Sequence, residues 1–252
     1  MGYLKTLKRR LRATAGFRRL SELRRDASIR DAESTLVFVH AGKCGGSSLW
    51  DAIRQSPAVA ARFDQITKIH IRKPPILKRA RYMVVVRNPV ARAISAFNWR
   101  YKLVVEDALQ KDRFPGEHGV LVRHGTLNAL AEALYGADGA PNAAAAQDFR
   151  KIHHLREDIA FYLKALLAGI SPGQIFAVLT TERLDEDIER VLDVKTVPRN
   201  HAHRDKTPRE RLELSDRARA NLTRFLAEDY ACLAKLFDMA GLPPERRAAL
   251  LA

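Results

Sequence analysis

Residues 36–49 read Leu36-Val37-Phe38-Val39-His40-Ala41-Gly42-Lys43-Cys44-Gly45-Gly46-Ser47-Ser48-Leu49. The first four form a continuous apolar run. Such runs suit strands covered on both faces, as in a parallel sheet. A turn with three glycines follows, and glycine lets backbone bend tightly and approach a ligand closely. Residues 47–56 then read as a helix, with Leu49, Trp50 and Ile53 on one side. Strand, turn and helix in this order aim successive N–H groups and a helix N-terminus at one place. Orphan donors and the helix dipole make that place suit an anion. Lys43 adds a full positive charge inside the loop, and Ser47 and Ser48 add hydroxyl donors.

Working outward, three more apolar runs appear. Residues 66–71 are a weaker one, and 82–86 and 175–179 are continuous. Helical patterns separate them over 47–56, 89–110, 155–168 and 215–239, the last stopped by Gly241 and Pro243. Alternating strands and helices predict a three-layer α/β fold, P-loop-like, with a central, mainly parallel sheet flanked by helices. Glycines and prolines interrupt residues 111–148. That stretch reads as an excursion over the sheet's C-terminal edge, a usual place for substrate contacts.

A second strand-to-helix junction reads Val86-Arg87-Asn88-Pro89-Val90-Ala91-Arg92-Ala93-Ile94-Ser95. Asn88 can cap the helix, and Pro89 at its first position costs no hydrogen bond. Arg87 sits at the C-terminal end of its strand, where open α/β sheets bind ligands, and its guanidinium can grip phosphate bidentately. Ser95 lies two turns into the helix and could complete the same site. Arg92, on the same face, reads equally as a phosphate contact, a salt bridge or a solvated charge.

A chain of 252 residues allows one large domain or two small ones. The expected division is a basic helical segment at 1–30 and a single domain at 31–252. Two cysteines exclude a disulfide framework, and no apolar run reaches 18 residues. No apolar stretch follows the basic N-terminus as in a secretory signal, so the expected location is cytoplasmic. The formal net charge is +15, with ten Lys/Arg against two acidic residues in 1–30. This balance favours polyanionic partners. The N-terminal segment reads first as a solvated helix or tail, and second as a basic amphipathic helix in peripheral contact with an anionic membrane.

Together the two junctions resemble the sulfotransferase superfamily that uses 3′-phosphoadenosine 5′-phosphosulfate (PAPS). The first is similar to its 5′-phosphosulfate loop, P-K-T-G-G-T-S-L, and the second to its 3′-phosphate motif, R-D-P-x-x-R-x-x-S. Carbohydrate sulfotransferases of the heparan and chondroitin type, with their bacterial relatives, carry the nearest resemblance. It rests directly on about 20 residues and extends loosely over 34–206. Gly42 stands where the family has proline, Cys44 where it has threonine, and Asn88 where it has aspartate. The resemblance implies that Lys43 binds the phosphosulfate and stabilises the leaving phosphate. It places Gly42, Cys44, Gly45, Gly46, Ser47 and Ser48 around that phosphate, and Arg87 and Ser95 on the 3′-phosphate. Thr181-Glu182-Arg183-Leu184 and Val197-Pro198-Arg199-Asn200-His201 are similar, more weakly, to later family segments. Arg199, His203, Arg204 and Lys206 are then cationic candidates for closing the site.

Transfer to a hydroxyl, or less readily an amine, also needs a base. His70 is the candidate, at the end of the weak second strand, and the resemblance supports a histidine near there. His40 reads as a packing or capping residue; Glu182, His153 and His154 are further candidates. The expected acceptor is a carbohydrate or glycolipid. No metal is expected. The alternatives are a P-loop-type nucleotide kinase and a basic nucleic-acid-binding protein. A nucleoside-triphosphate loop carries its lysine after the glycines; here Lys43 precedes the glycine pair, and no Mg²⁺-binding aspartate ends a later strand. Nucleic-acid binding predicts exposed aromatics among basic residues, whereas most aromatics here fall in apolar patterns. No nucleic-acid partner is therefore expected.

Overall fold

The computed structural model describes residues 26–194 and 207–251. The expectations for the basic N-terminal segment, for Arg199, His203, Arg204 and Lys206, and for the loop that carries them lie outside those residues. Four strands form one sheet: β1 (Thr35–His40), β2 (Gln65–Ile69), β3 (Arg81–Val86) and β4 (Ile175–Thr180). All pair parallel, in the order β2-β1-β3-β4. Every residue of β1 and five of six in β3 are buried, which is why their sequences are uninterruptedly apolar. β2 is an edge strand with a single fully buried residue, Ile69, and its sequence signal is correspondingly faint.

Helices flank the sheet. α1 (Gly46–Gln55) and α2 (Pro57–Ala60) link β1 to β2. Residues 70–80 then carry the chain past β1 to β3 without a helix. The Tyr82 hydroxyl pins this crossing, donating to the Pro75 carbonyl at 2.8 Å and accepting from the Leu77 N–H at 2.9 Å. α3 (Pro89–Tyr101) follows β3. Its cap is as read from sequence: Asn88 Oδ1 accepts from the Ala91 N–H at 3.0 Å. The helix does not run on to residue 110. A π-helical turn over Lys102–Glu106 ends it, just after buried Arg100 is drawn into a two-point pair with Glu117, at 2.8 and 2.7 Å.

Residues 111–148 are largely helical. They form α4 (Glu117–His124), α5 (Leu127–Ala133) and the start of α6 (Ala143–Lys151). Gly116 and Gly125, read as loop signals, are the caps of α4, both at positive φ. These helices share an apolar cluster with α3 through Phe97, Leu121, Leu130 and Phe149. α7 (Ile159–Gly169) starts four residues later than expected, because Asp158 caps it and 152–157 make a turn with His154 in left-handed backbone. α8 (Leu184–Leu192) follows β4. The single helix expected over 215–239 is two, α9 (Asp216–Phe225) and α10 (Ala227–Met239), broken at Leu226. The break lets Leu222 enter the second cluster while Leu233, Leu236 and Phe237 enter the main core against the sheet. α11 (Pro244–Leu251) is last. Among the described residues no helix is long and apolar enough to cross a membrane.

Candidate functional site

The strand order fixes where a site can form. The chain leaves β1 toward one edge, by β2, and leaves β3 toward the other, by β4. Connections diverging from adjacent parallel strands open a crevice at their carboxyl ends. The two segments singled out in the sequence, 39–49 and 87–95, carry the chain from β1 and β3 past that crevice. The β1–β3 register pairs His40 with Val85, so two residues on, Gly42 and Arg87 come level. Arg87 Nη1 accordingly donates to the Lys43 carbonyl at 3.4 Å. Across the next junction, the Asn88 N–H donates to Glu182 Oε1 at 2.9 Å, and the Thr181 hydroxyl to the Val86 carbonyl at 3.2 Å. Glu182 thus braces the second loop.

Lys43 sits in left-handed backbone, as does Gly45, the residue before α1. Its ammonium stands 4.7 Å over the Trp99 ring. Desolvation, with Arg87 second, lowers its pKa to about 8. Trp99 is a neighbour of Lys43 that the sequence reading missed. Its signal was present: it lies four residues after Ser95 on α3, on the same helix face. Ser95 is partly buried there. Cys44 is fully buried, and burial raises its thiol pKa to about 11. That overrides any lowering by the helix start and leaves its backbone as the group it offers a ligand. Ser47 and Ser48 lie in the first turn of α1. Arg92 is not a solvated surface charge. It is buried, and its Nη2 donates to the carbonyls of His154, at 2.7 Å, and of Glu157.

Beside this loop lies a row of histidines. The β1–β2 register pairs Val39 with Ile69, so His40 and His70 leave neighbouring strands at the same level. Strand spacing of about 4.8 Å then stacks them: their ring centroids are 4.3 Å apart and nearly parallel. His154 tilts against His70 at 5.9 Å, His153 against His154 at 4.2 Å, and Phe114 stacks on His153 at 4.4 Å. Two loop glycines make room for the row. A Cβ on Gly46 would lie 2.0 Å from the His40 ring, and one on Gly42 2.6 Å from His154 Nδ1. His40 therefore packs, as its place in the sequence suggested. His70 directly follows β2 and is half-buried. Its Nδ1 lies 3.2 Å from the His40 carbonyl oxygen. A carbonyl only accepts, so neutral His70 carries its proton on Nδ1 and keeps a lone pair on Nε2.

His153, His154 and Glu157 also bring three potential metal-ligand atoms within 4.8 Å of one another. The Glu157 carboxylate already accepts from Arg156 at 2.9 and 2.6 Å and from the His154 N–H at 2.9 Å. A cation there would share this carboxylate with Arg156 and sit near Arg92.

Burial holds these imidazoles neutral. Desolvation lowers His40 to about 3, His153 to about 4 and His154 to about 2, and also lowers His70. Below pH 6.5 the unfolded chain therefore takes protons that the fold refuses, so stability falls with pH. At pH 5 each of His40, His153 and His154 costs about 2 kcal/mol. Asp229 acts in the opposite direction. Burial, then Asp158, raises its carboxyl to about 7, so it restores part of the loss below that pH. A net loss of a few kcal/mol, about one histidine's worth or two, remains. The urea midpoint should hold between pH 7 and 8 and drop clearly by pH 5. An unchanged midpoint at pH 5 would contradict the buried neutral row.

Comparison of the chain with family models, with curated proteins and with solved structures gives no match.

Proposed function

We propose that the protein is a sulfotransferase that moves the sulfuryl group of PAPS to a hydroxyl of a carbohydrate or glycolipid acceptor, on a P-loop-like α/β fold. The observation that carries this reading is the meeting of the two loops at the sheet's switch point, where Arg87 reaches the Lys43 carbonyl at 3.4 Å. PAPS carries anionic groups at its 3′ and 5′ positions. Two adjacent anion-suited loops, each ending a parallel strand and opening a helix, fit a ligand charged at both ends. Lys43, Gly42, Gly45, Gly46 and the first turn of α1 would take the phosphosulfate. Arg87 and Ser95 would take the 3′-phosphate.

The chemistry then needs little beyond positioning and charge. The acceptor O–H proton passes to His70 Nε2 as the acceptor oxygen bonds to sulfur. The bond from sulfur to the phosphate oxygen breaks, and its electron pair stays on that phosphate. Lys43 and the loop N–H groups meet the charge that develops there.

A thermal-shift series tests the reading. 3′-Phosphoadenosine 5′-phosphate (PAP) at 100 times its dissociation constant should stabilise the protein by about 2.7 kcal/mol. ATP with Mg²⁺, which lacks a 3′-phosphate, and an oligonucleotide should give smaller shifts. Equal or larger shifts with either would favour a kinase or a nucleic-acid binder. If PAP gives no shift, the sulfotransferase reading fails.

A further inference from the structure

His154 is held with unusual firmness. Its backbone is left-handed at φ 70°, a conformation costly for a residue with a Cβ and kept only where surroundings impose it. Three groups impose it here. Arg92 Nη2 binds its carbonyl at 2.7 Å, Glu157 Oε2 accepts from its N–H at 2.9 Å, and its ring fills the space that Gly42 leaves open. The ring is thereby set against the anion loop and beside His70. Arg92 comes from the same helix that carries Ser95, so this placement is built into the second loop's own helix.

The ring's protonation state follows from its contacts. Nδ1 is shut away from solvent against Gly42 and has no hydrogen-bond partner. A buried N–H without an acceptor is rarer and costlier than a buried lone pair. The proton of neutral His154 therefore belongs on Nε2. His70 has the opposite tautomer, with its proton on Nδ1 and a lone pair on Nε2. Two neighbouring imidazoles thus carry their protons on opposite nitrogens.

Resting on the sulfotransferase reading, we infer that His154 is the neutral hydrogen-bond donor of the transfer site, its Nε2–H directed at an oxygen of the sulfuryl group in flight. It transfers no proton; the acceptor's proton goes to His70. A neutral donor placed before the reaction strengthens as charge spreads over the sulfuryl oxygens, and loss of one such donor typically costs about 10²–10³ in rate. The titratable and charged groups around His154 are His70, His153, Lys43, Arg92 and Glu157, and burial keeps it neutral across the working range.

Two measurements test this. Two-bond ¹H–¹⁵N correlation spectra of the wild type should show His154 protonated at Nε2 and His70 at Nδ1. The reverse tautomer at His154 overturns the inference whether or not PAPS is the donor. Transfer of labelled sulfuryl from PAPS, measured with the best acceptor from a desulfated-glycan panel, supplies the second. His154→Ala should lower kcat about 10²-fold, leave the PAP thermal shift in place and leave the acidic limb of the pH profile unmoved. His154→Gln, which keeps an N–H donor at similar reach, should recover much of that loss. A wild-type kcat in His154→Ala overturns the inference, as does loss of PAP binding in that variant or no recovery in His154→Gln. Failure of the wild type to bind PAP would instead count against the sulfotransferase reading itself.

Discussion

His70→Ala should lower kcat for sulfuryl transfer by about 10²–10⁴, the usual worth of a positioned general base, while the PAP thermal shift stays at its wild-type size. The split follows from geometry. His70 follows β2, the strand on the far side of β1 from the Arg87 loop, so its ring can touch the acceptor side of the crevice without holding the nucleotide. Its Nδ1–H is committed to the His40 carbonyl at 3.2 Å, and its ring is stacked on His40 at 4.3 Å. Nε2 is therefore aimed by the sheet register rather than by a loop. Burial lowers the pKa of His70 from its ordinary 6.5, so the basic form predominates at neutral pH. In the wild type, kcat/KM should rise with pH only below about 6.5 and then level off; in His70→Ala that acidic limb should vanish. Retention of wild-type kcat in His70→Ala, with PAP still binding, would move the base elsewhere on the row.

The sequence made the sheet legible because its central strands are buried on both faces. Leu36–Val39 and Tyr82–Val86 could be little else. It made the two loops legible because their chemistry is local: a cap, a proline, glycines, a lysine and an arginine within a few residues. What it concealed depends on contacts between distant segments. Arg92 shares a helix with Ser95, yet it is buried on the carbonyls of His154 and Glu157, about 60 residues away. Gly42 looked like a departure from a family pattern. Only the fold shows that its missing side chain is the space His154 occupies. Gly116 and Gly125 were read as loop, although a glycine at positive φ is equally the cap of a helix. Helix length was misjudged where one stripe serves two cores, as at Leu226, or where a buried pair such as Arg100–Glu117 intervenes just before the helix ends. Local patterns carry no record of either.

On the sulfotransferase reading, Lys43→Ala should weaken PAP binding and lower kcat by about 10²–10³, because the ammonium would meet the phosphate both when it binds and when it leaves. The pH dependence makes the test specific. Desolvation and the neighbouring Arg87 hold free Lys43 at about 8, so it gives up its proton well below the ordinary lysine range. An anion on the loop favours the charged form. Affinity for PAP should therefore be full below pH 8 and decline as pH rises through about 8 toward 9.5. The phosphates of PAP are fully ionised by then, so the decline belongs to the protein. The same ionisation should close the alkaline side of kcat/KM, which reports the free enzyme; kcat, reporting the bound state, should hold to higher pH. Lys43→Arg sharpens the comparison. Guanidinium keeps its proton throughout this range, so whatever affinity that variant retains over the Trp99 face should be flat from pH 7 to 9.5. Wild-type affinity that is equally flat, or a decline that survives in Lys43→Arg, would remove Lys43 from the phosphate site and leave Arg87 as the principal anchor of the crevice.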